Sequence, residues 1–567
     1  MKSVKYLVVL AIALCAIPSV SKAQTVQAVG GGSSAIFLEM GQGAATAAAT
    51  STPCAWTTST GGTNVVARDN RTSTPTDEAG NIWVTWSAGS TGTCTAPSGT
   101  GINIYSDMKL DSVVGDKCYF EVDSSLTAGC VQVLTVTTPA AGSNLLPGIT
   151  DTPLPEVIRA AVNGKHFTFA ATDIRPEDAK FASNRLFQPC GAPMYRQPFD
   201  LGYRLTYGLG YATGTTGVGL KINSAFSAGA FNVLDFALAG TDPISGNTVP
   251  NFAVTPIGAQ PIVVAVAPVT DTAGIAGASD INGFTLALFY EGVLGRATDL
   301  AGVTNANAVV TLVREPLSGT YNTFEYSVPN SSQFHTSQDD NFCNGSAVFS
   351  QTMNAPSANS AVVGAARKRV IATGEMINTL NGTSGTIDML GYAFWSDANF
   401  HNKTNIKYLT VNGVDPLLDS YGSSGGVAYT PGLLPQATPA AGTPPLTAVS
   451  FKNLAAGDYP IWSAVRVVSL PSDAGVANLV TASHTVDATQ HDYIPLSTLK
   501  VWHSHFPLYG VTGANANGSS INTANDLCNG GSAEAGGDAG GANVLESGNK
   551  DFCADYGNSS GLINKTN

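Results

Sequence analysis

Arg314 is followed at short spacing by Ser318, Gly319 and Thr320, in the stretch Arg-Glu-Pro-Leu-Ser-Gly-Thr. A guanidinium can place two parallel hydrogen bonds on the oxygens of one oxyanion. Two hydroxyls add donors, and a glycine lets backbone N–H groups come close. The apolar run Ala308-Val309-Val310-Thr311-Leu312-Val313 precedes the Arg, and Tyr321 to Tyr326 has helical character. The order strand, Arg, small-residue turn, helix start describes a cradle for a tetrahedral anion such as phosphate. The plainer reading of the same residues is a solvated Arg beside a Ser-Gly-Thr turn.

Three other segments carry residues suited to such a ligand. Gly30-Gly31-Gly32-Ser33-Ser34-Ala35 reads as a glycine-rich turn whose Ser34 either caps a helix or donates to an anion. Asp173 ends the run Phe169-Ala170-Ala171-Thr172, at the strand end where open α/β sheets bind ligands; a cap before Pro176 is its structural alternative. Asp458-Tyr459-Pro460 leads into another strand. His503 and His505 share one strand face, and Asp339-Asp340 is acidic, but neither has the spacing of a zinc or calcium site. No nucleophile elbow, His-Glu-x-x-His or Walker lysine is present. No metal and no cofactor is expected.

The elements that must hold these residues alternate in type. Buried-strand runs occur at 166–170, 261–267, 308–313 and 463–468, with helical spacing at 155–163, 281–291 and 321–326. Strand and helix alternation implies an α/β architecture with parallel sheets. Residues 50–101, rich in Ser, Thr and Gly, and 195–251, rich in Gly and Tyr, read as insertions. Residues 422–446 read as a surface loop or linker, and 511–567 as a Gly/Asn-rich extension of weak order.

A chain of 567 residues is long enough for two or more domains. Residues 1–23 have the basic start, short apolar core and small-residue end of a secretion signal, with cleavage after Ala23. Leu14 before Cys15 argues against a lipid anchor, and no later apolar run reaches the ~18 residues of a membrane span. Removing the signal removes three lysines and no acid, taking the formal charge from −13 to −16. Such a charge disfavours nucleic acid or an anionic membrane surface as partner. It permits a small anion, because salt screens the diffuse field over roughly 8–10 Å. Of nine cysteines, eight follow the signal, an even count that suggests disulfides in an exported chain. Proximity favours Cys118 with Cys130, Cys528 with Cys553, and Cys54 with Cys94.

In this order, the four segments resemble the phosphate-binding proteins of bacterial ABC transporters, members of the periplasmic binding protein superfamily. The Arg314-x-x-x-Ser318-Gly319-Thr320 piece matches without a gap. Gly30 to Ser34 is similar to the family's first turn, with Ser where Thr is usual. Phe169 to Asp178 is similar to its small-residue strand end with an Asp. Tyr459-Pro460, the strand Pro261 to Val266 and Leu390-Gly391-Tyr392 also have counterparts. Together the fragments span about Val26 to Leu470. This chain is longer than the usual member, and its first two site segments are further apart. The family also supplies a second-segment Ser, placed here at Ser87, with Ser90 as the alternative.

The resemblance implies a two-lobed α/β fold of the class II binding-protein type, with discontinuous lobes and long loop or β insertions. Lobe 1 comprises 24–255 and a return segment 448–510; lobe 2 comprises 256–447. The implied site holds phosphate with Ser34, Ala35, Ser87 and Asp173 from lobe 1, and Arg314, Ser318, Gly319 and Thr320 from lobe 2. Asp173 would accept the proton that phosphate keeps near neutrality and sulfate lacks, so that the wrong ligand leaves a buried acceptor unpaired. The implied role is a periplasmic or extracellular solute-binding protein, not an enzyme, with an ABC transporter permease as partner. The rivals are a surface-interaction protein that keeps the fold without transport and an extracellular phosphatase.

Overall fold

Apolar, β-branched runs bounded by turns favour buried strands, and the computed structural model gathers them into one mixed sheet. The structure describes residues 24–48, most of 52–174, 253–328 without 315–317, residue 338, 352–353, most of 366–495, and short strands at 501–503 and 563–565. His503 lies in the first of these short strands; His505, Asp339, Asp340, Cys190, Cys343, Cys528 and Cys553 lie outside the described residues.

Twelve strands belong to the main sheet. They are β1 (Gln24–Gly32), β2 (Pro53–Thr58), β3 (Asn81–Ser87), β4 (Ile102–Lys109), β5 (Phe169–Thr172), β6 (Ala253–Ala267), β7 (Val309–Val313), β8 (Thr352–Met353), β9 (Ala366–Arg369), β10 (Asp388–Phe394), β11 (Lys407–Tyr408) and β12 (Trp462–Ser469). Their order is β8-β9-β7-β10-β6-β12-β5-β1-β4-β3-β2, with β11 beside β6. The helices are α1 (Phe37–Ala48), α2 (Ser112–Phe120), α3 (Glu156–Val162), α4 (Gly283–Tyr290), α5 (Gly319–Ser327), α6 (Ala372–Gly382), α7 (Asp397–Phe400), α8 (Lys452–Ala456) and α9 (Ala474–Gln490).

Two parallel blocks, β5-β1-β4 and β9-β7-β10, are joined through antiparallel β6 and β12. β6 is the crossing strand. Its first part pairs with β12 as far as Pro261 opposite Trp462, and from Ile262 it pairs with β10. Proline has no N–H to donate. Pro261 stands where the strand changes partner, and Pro256 stands at a register shift before Gly258. The chain enters the second block along β6 and returns along β12, which is the discontinuous α/β class that the resemblance implied.

Register aligns the carboxyl ends within each block. Gly32 of β1 lies opposite Lys109 of β4 and Ala171 of β5, and Val313 of β7 lies opposite Arg369 of β9. Helix α5 is pinned by an aromatic cluster: Phe324 stacks on Tyr392 of β10 at 4.0 Å between centroids and meets Tyr290 of α4 at 4.5 Å.

The stretch 50–101 is more than a loop insertion. Its β2 and β3 extend the sheet beyond β4, with Trp83 and Trp86 fully buried. Disulfides join Cys54 to Cys94 and Cys118 to Cys130, as proximity in sequence favoured.

Buried Tyr459 ties the return segment to the crossing strand, its hydroxyl donating to the Ile262 carbonyl at 2.6 Å. Tyr459→Phe should cost about 1–3 kcal/mol. Denaturant unfolding reads this as a lower midpoint at unchanged slope; an unchanged midpoint would show that the bond contributes nothing to the crossing.

Candidate anion-binding site

The site begins at the end of β1. A Cβ on Gly30 would fall 2.5 Å from the Phe169 ring, and one on Gly31 would fall 2.6 Å from the Phe167 ring. Gly32 has φ +142° and sits against the Ala171 carbonyl. The glycines therefore complete the strand, and the turn expected there falls at 33–36 instead. Ser33 N–H donates to the Ala171 carbonyl at 2.7 Å, and Ser33 Oγ accepts from Ala35 N–H at 3.0 Å. This turn presents half-buried Ser34 and buried Ala35 ahead of α1.

Four more strand ends supply the rest. Asp111 and Ser112 follow β4 at the start of α2, and Asp173 follows β5. Arg314 follows β7, and Ser318 caps α5 by accepting from Tyr321 N–H at 3.2 Å. Thr373 follows β9 in the first turn of α6.

The two blocks meet at these ends. Arg314 is 1% exposed. Its Nη1 donates to Thr373 Oγ1 at 2.9 Å, and its Nη2 pairs with Asp111 Oδ1 from the other block at 3.2 Å. Thr373 Oγ1 also lies 2.7 Å from Ser34 Oγ, so one hydroxyl links both blocks to the guanidinium. Ser112 Oγ donates to Asp173 Oδ1, and Ser463 of β12 donates to the Asp173 carbonyl at 2.7 Å. Gly319, at the start of α5, is packed against the Asp173 carboxylate and Ser112 Oγ. Lys109 Nζ donates to Asn399 Oδ1 of α7 at 3.4 Å.

Burial pushes the Asp173 carboxyl above its ordinary value, opposed by its bond from Ser112 and by the Arg314 charge. A raised native carboxyl pKa stabilises the fold fully below the unfolded value, and this contribution is lost as pH rises through the raised one. A ligand proton offered to Asp173 would recover it. Burial, then the Arg314 charge, lowers Lys109 to about 8, opposed by Asp111.

Of the expected residues, Ser34, Ala35, Asp173, Arg314, Ser318, Gly319 and Thr320 come together at the facing carboxyl ends, all of them buried except half-buried Ser34. Ser87 does not. β3 runs antiparallel to β4, so Asn81 lies opposite Lys109 while Ser87 lies at the far end of the strand. Its hydroxyl donates to the Gly101 carbonyl and accepts from Asn103 N–H, both at 3.1 Å. The alternative Ser90 donates to the Ser98 carbonyl on the exposed rim. The serine that lies at these ends beside Asp173 and Gly319 is Ser112. Its signal was the strand Ile102–Lys109 followed by Asp111-Ser112 and by Gly115, whose missing Cβ lets α2 pack onto the β1 backbone. Asp111, Lys109 and Thr373 were also unforeseen.

Neither family models nor curated proteins match the sequence. Among solved structures the chain is similar to a phosphate-binding protein from Stenotrophomonas maltophilia, at 14% identity and TM-score 0.32, covering 70% of this chain and 84% of that one. It is similar to an ABC-type phosphate transport receptor from Vibrio cholerae at 12% identity and TM-score 0.25, covering 43% of this chain and 72% of that one. It is also similar to PstS from Borrelia burgdorferi at 13% identity and TM-score 0.24, with the same coverage of 43% and 72%.

The contact at Gly319 gives a sharp test of the site's packing. Gly319→Ala puts a methyl group into the Asp173 carboxylate and should destabilise the chain by about 1–3 kcal/mol. Thermal unfolding would show a lower Tm, and a wild-type Tm would mean that α5 and Asp173 are not in contact.

Proposed function

We propose that this chain is a solute-binding protein that captures inorganic phosphate between its two blocks and passes it to an ABC-type permease outside the cytoplasm. The observation that carries this reading is the burial of Arg314 to 1% exposure where the α1, α2 and α5 starts converge. Helix starts offer backbone N–H groups and a partial positive charge. Arg314 adds a planar fork of donors, and Ser34, Ser112 and Thr320 add hydroxyls. Asp173 supplies the discrimination: a carboxylate beside an anion repels it unless the two share a proton. Phosphate keeps a proton near neutrality and sulfate does not. The signal-like residues 1–23 and the two disulfides support export. Ligand contacts from both blocks favour the closed arrangement over an open one. Chemistry on the anion is no part of this reading.

One observation favours a second reading. Arg314 already has Asp111 and Thr373, and the α5 start is already packed against Asp173. A cradle satisfied by its own side chains fits a surface-interaction protein that keeps the fold without transport.

Isothermal titration of the full chain separates the two. The phosphate reading expects one site, with phosphate bound at least about 100-fold more tightly than sulfate, and Asp173→Asn narrowing that ratio. No heat and no rise in Tm with phosphate would overturn it in favour of the second reading.

A further inference from the structure

Two buried carboxylates lie within the reach of the Arg314 charge: Asp111 pairs with it at 3.2 Å, and the charge opposes the upward push of burial on Asp173. Asp173 approaches from β5 and Asp111 from the end of β4, at 2% and 7% exposure. Among the described residues, the charged groups near Asp111 include Lys109 just before it and Arg314 from β7, and Arg314 also acts on Asp173 after β5. Asp116 on α2 accepts from Thr172 at 3.3 Å. Asp397 and His401, on and beside the helix whose Asn399 meets Lys109, lie 3.5 Å apart. With all four groups ionised, Arg314, Lys109, Asp111 and Asp173 sum to no net charge. A bound monoanion then leaves one buried negative charge, and a dianion leaves two, at a cost that rises steeply in a low dielectric. One carboxylate acceptor asks for one ligand proton, which doubly charged phosphate still carries. A second carboxylate asks for a second proton.

We propose that Asp111 is a specificity-determining residue of the anion site: with Asp173 it restricts the site to an oxyanion that brings two protons, the singly charged form of phosphate or arsenate. Doubly charged phosphate and sulfate are disfavoured. The inference rests on the phosphate reading above. Whichever partner holds each proton, the complex retains both, so affinity falls as pH rises through the second ionisation of phosphate near neutrality.

The test is titration of the full chain and of Asp111→Asn with inorganic phosphate and with sulfate, at about pH 6 and about pH 7.5, where Lys109, lowered to about 8, still keeps most of its charge. The parent should bind phosphate about threefold more weakly at the higher pH, following the singly charged fraction. Asp111→Asn should lose that dependence and bind sulfate at least about tenfold more tightly than the parent. Asp111→Ser serves if the Asn variant does not fold, and the parent's pH profile decides the point without either. Phosphate binding by the parent that is equal at both pH values overturns the inference and leaves the phosphate reading standing. Weaker binding of every anion by Asp111→Asn with the parent's pH slope makes Asp111 a packing residue and also overturns it. Absence of phosphate binding at both pH values overturns the inference and the reading together.

Discussion

A guanidinium held at 1% exposure between two blocks of sheet is the constraint around which the rest is arranged. A buried charge is tolerated only with close counter-charge and filled hydrogen-bond positions. Arg314 meets that demand across the blocks: Asp111 comes from one, Thr373 from its own, and Thr373 reaches back to Ser34. Burial thus makes one side chain responsible for the relation of two folding units. Removing either partner leaves an uncompensated charge, so the pair is sensitive to change from both sides.

The fold delivers these groups by register. β1, β4 and β5 end together, as do β7 and β9, and each end leads into a turn or helix start. Antiparallel crossing strands let the two parallel blocks face each other without a flexible linker. Gln260, one residue before the partner change, donates to the Ala35 carbonyl at 3.2 Å and to the Trp395 carbonyl. The crossing therefore also touches the turn that presents Ser34. Asp173 is held similarly, with Ser112 on its carboxylate and Ser463 of β12 on its carbonyl. The strand-end groups and the crossing strands therefore share hydrogen bonds, so a shift of one is felt by the other.

How much of this was legible in the sequence depends on distance along the chain. Arg314, Ser318, Gly319 and Thr320 were readable because a strand, a capping Ser and a helix start are local patterns. Asp173 was readable from its strand. Asp111 was not, because its meaning lies in a contact 203 residues away. Thr373 was not, because nothing around it marks a link to Ser34, 339 residues away. Ser87 was misplaced because a strand's composition does not show its direction; running β3 antiparallel to β4 carries Ser87 to the wrong edge. The low charge and Ser/Thr content of 50–101 concealed two strands of the main sheet, whose evidence was the apolar run Ile82-Trp83-Val84 with Trp86, buried on both faces. β6 was read as beginning at Pro261, because prolines usually mark strand limits; here Pro256 and Pro261 occupy a register shift and a change of partner within one strand.

Everything proposed for this chain turns on whether the facing strand ends around Arg314 hold a protonated tetrahedral anion. The most direct measurement is a crystal structure of the full chain grown with arsenate, with the arsenic located by anomalous scattering. One strong peak is expected within hydrogen-bonding reach of the Arg314 guanidinium and the Ser318–Thr320 helix start, with the Asp173 carboxylate facing an anion oxygen. Arsenic located elsewhere, or a site without arsenic in which Arg314 stays on Asp111 and Gly319 stays against Asp173, would contradict it.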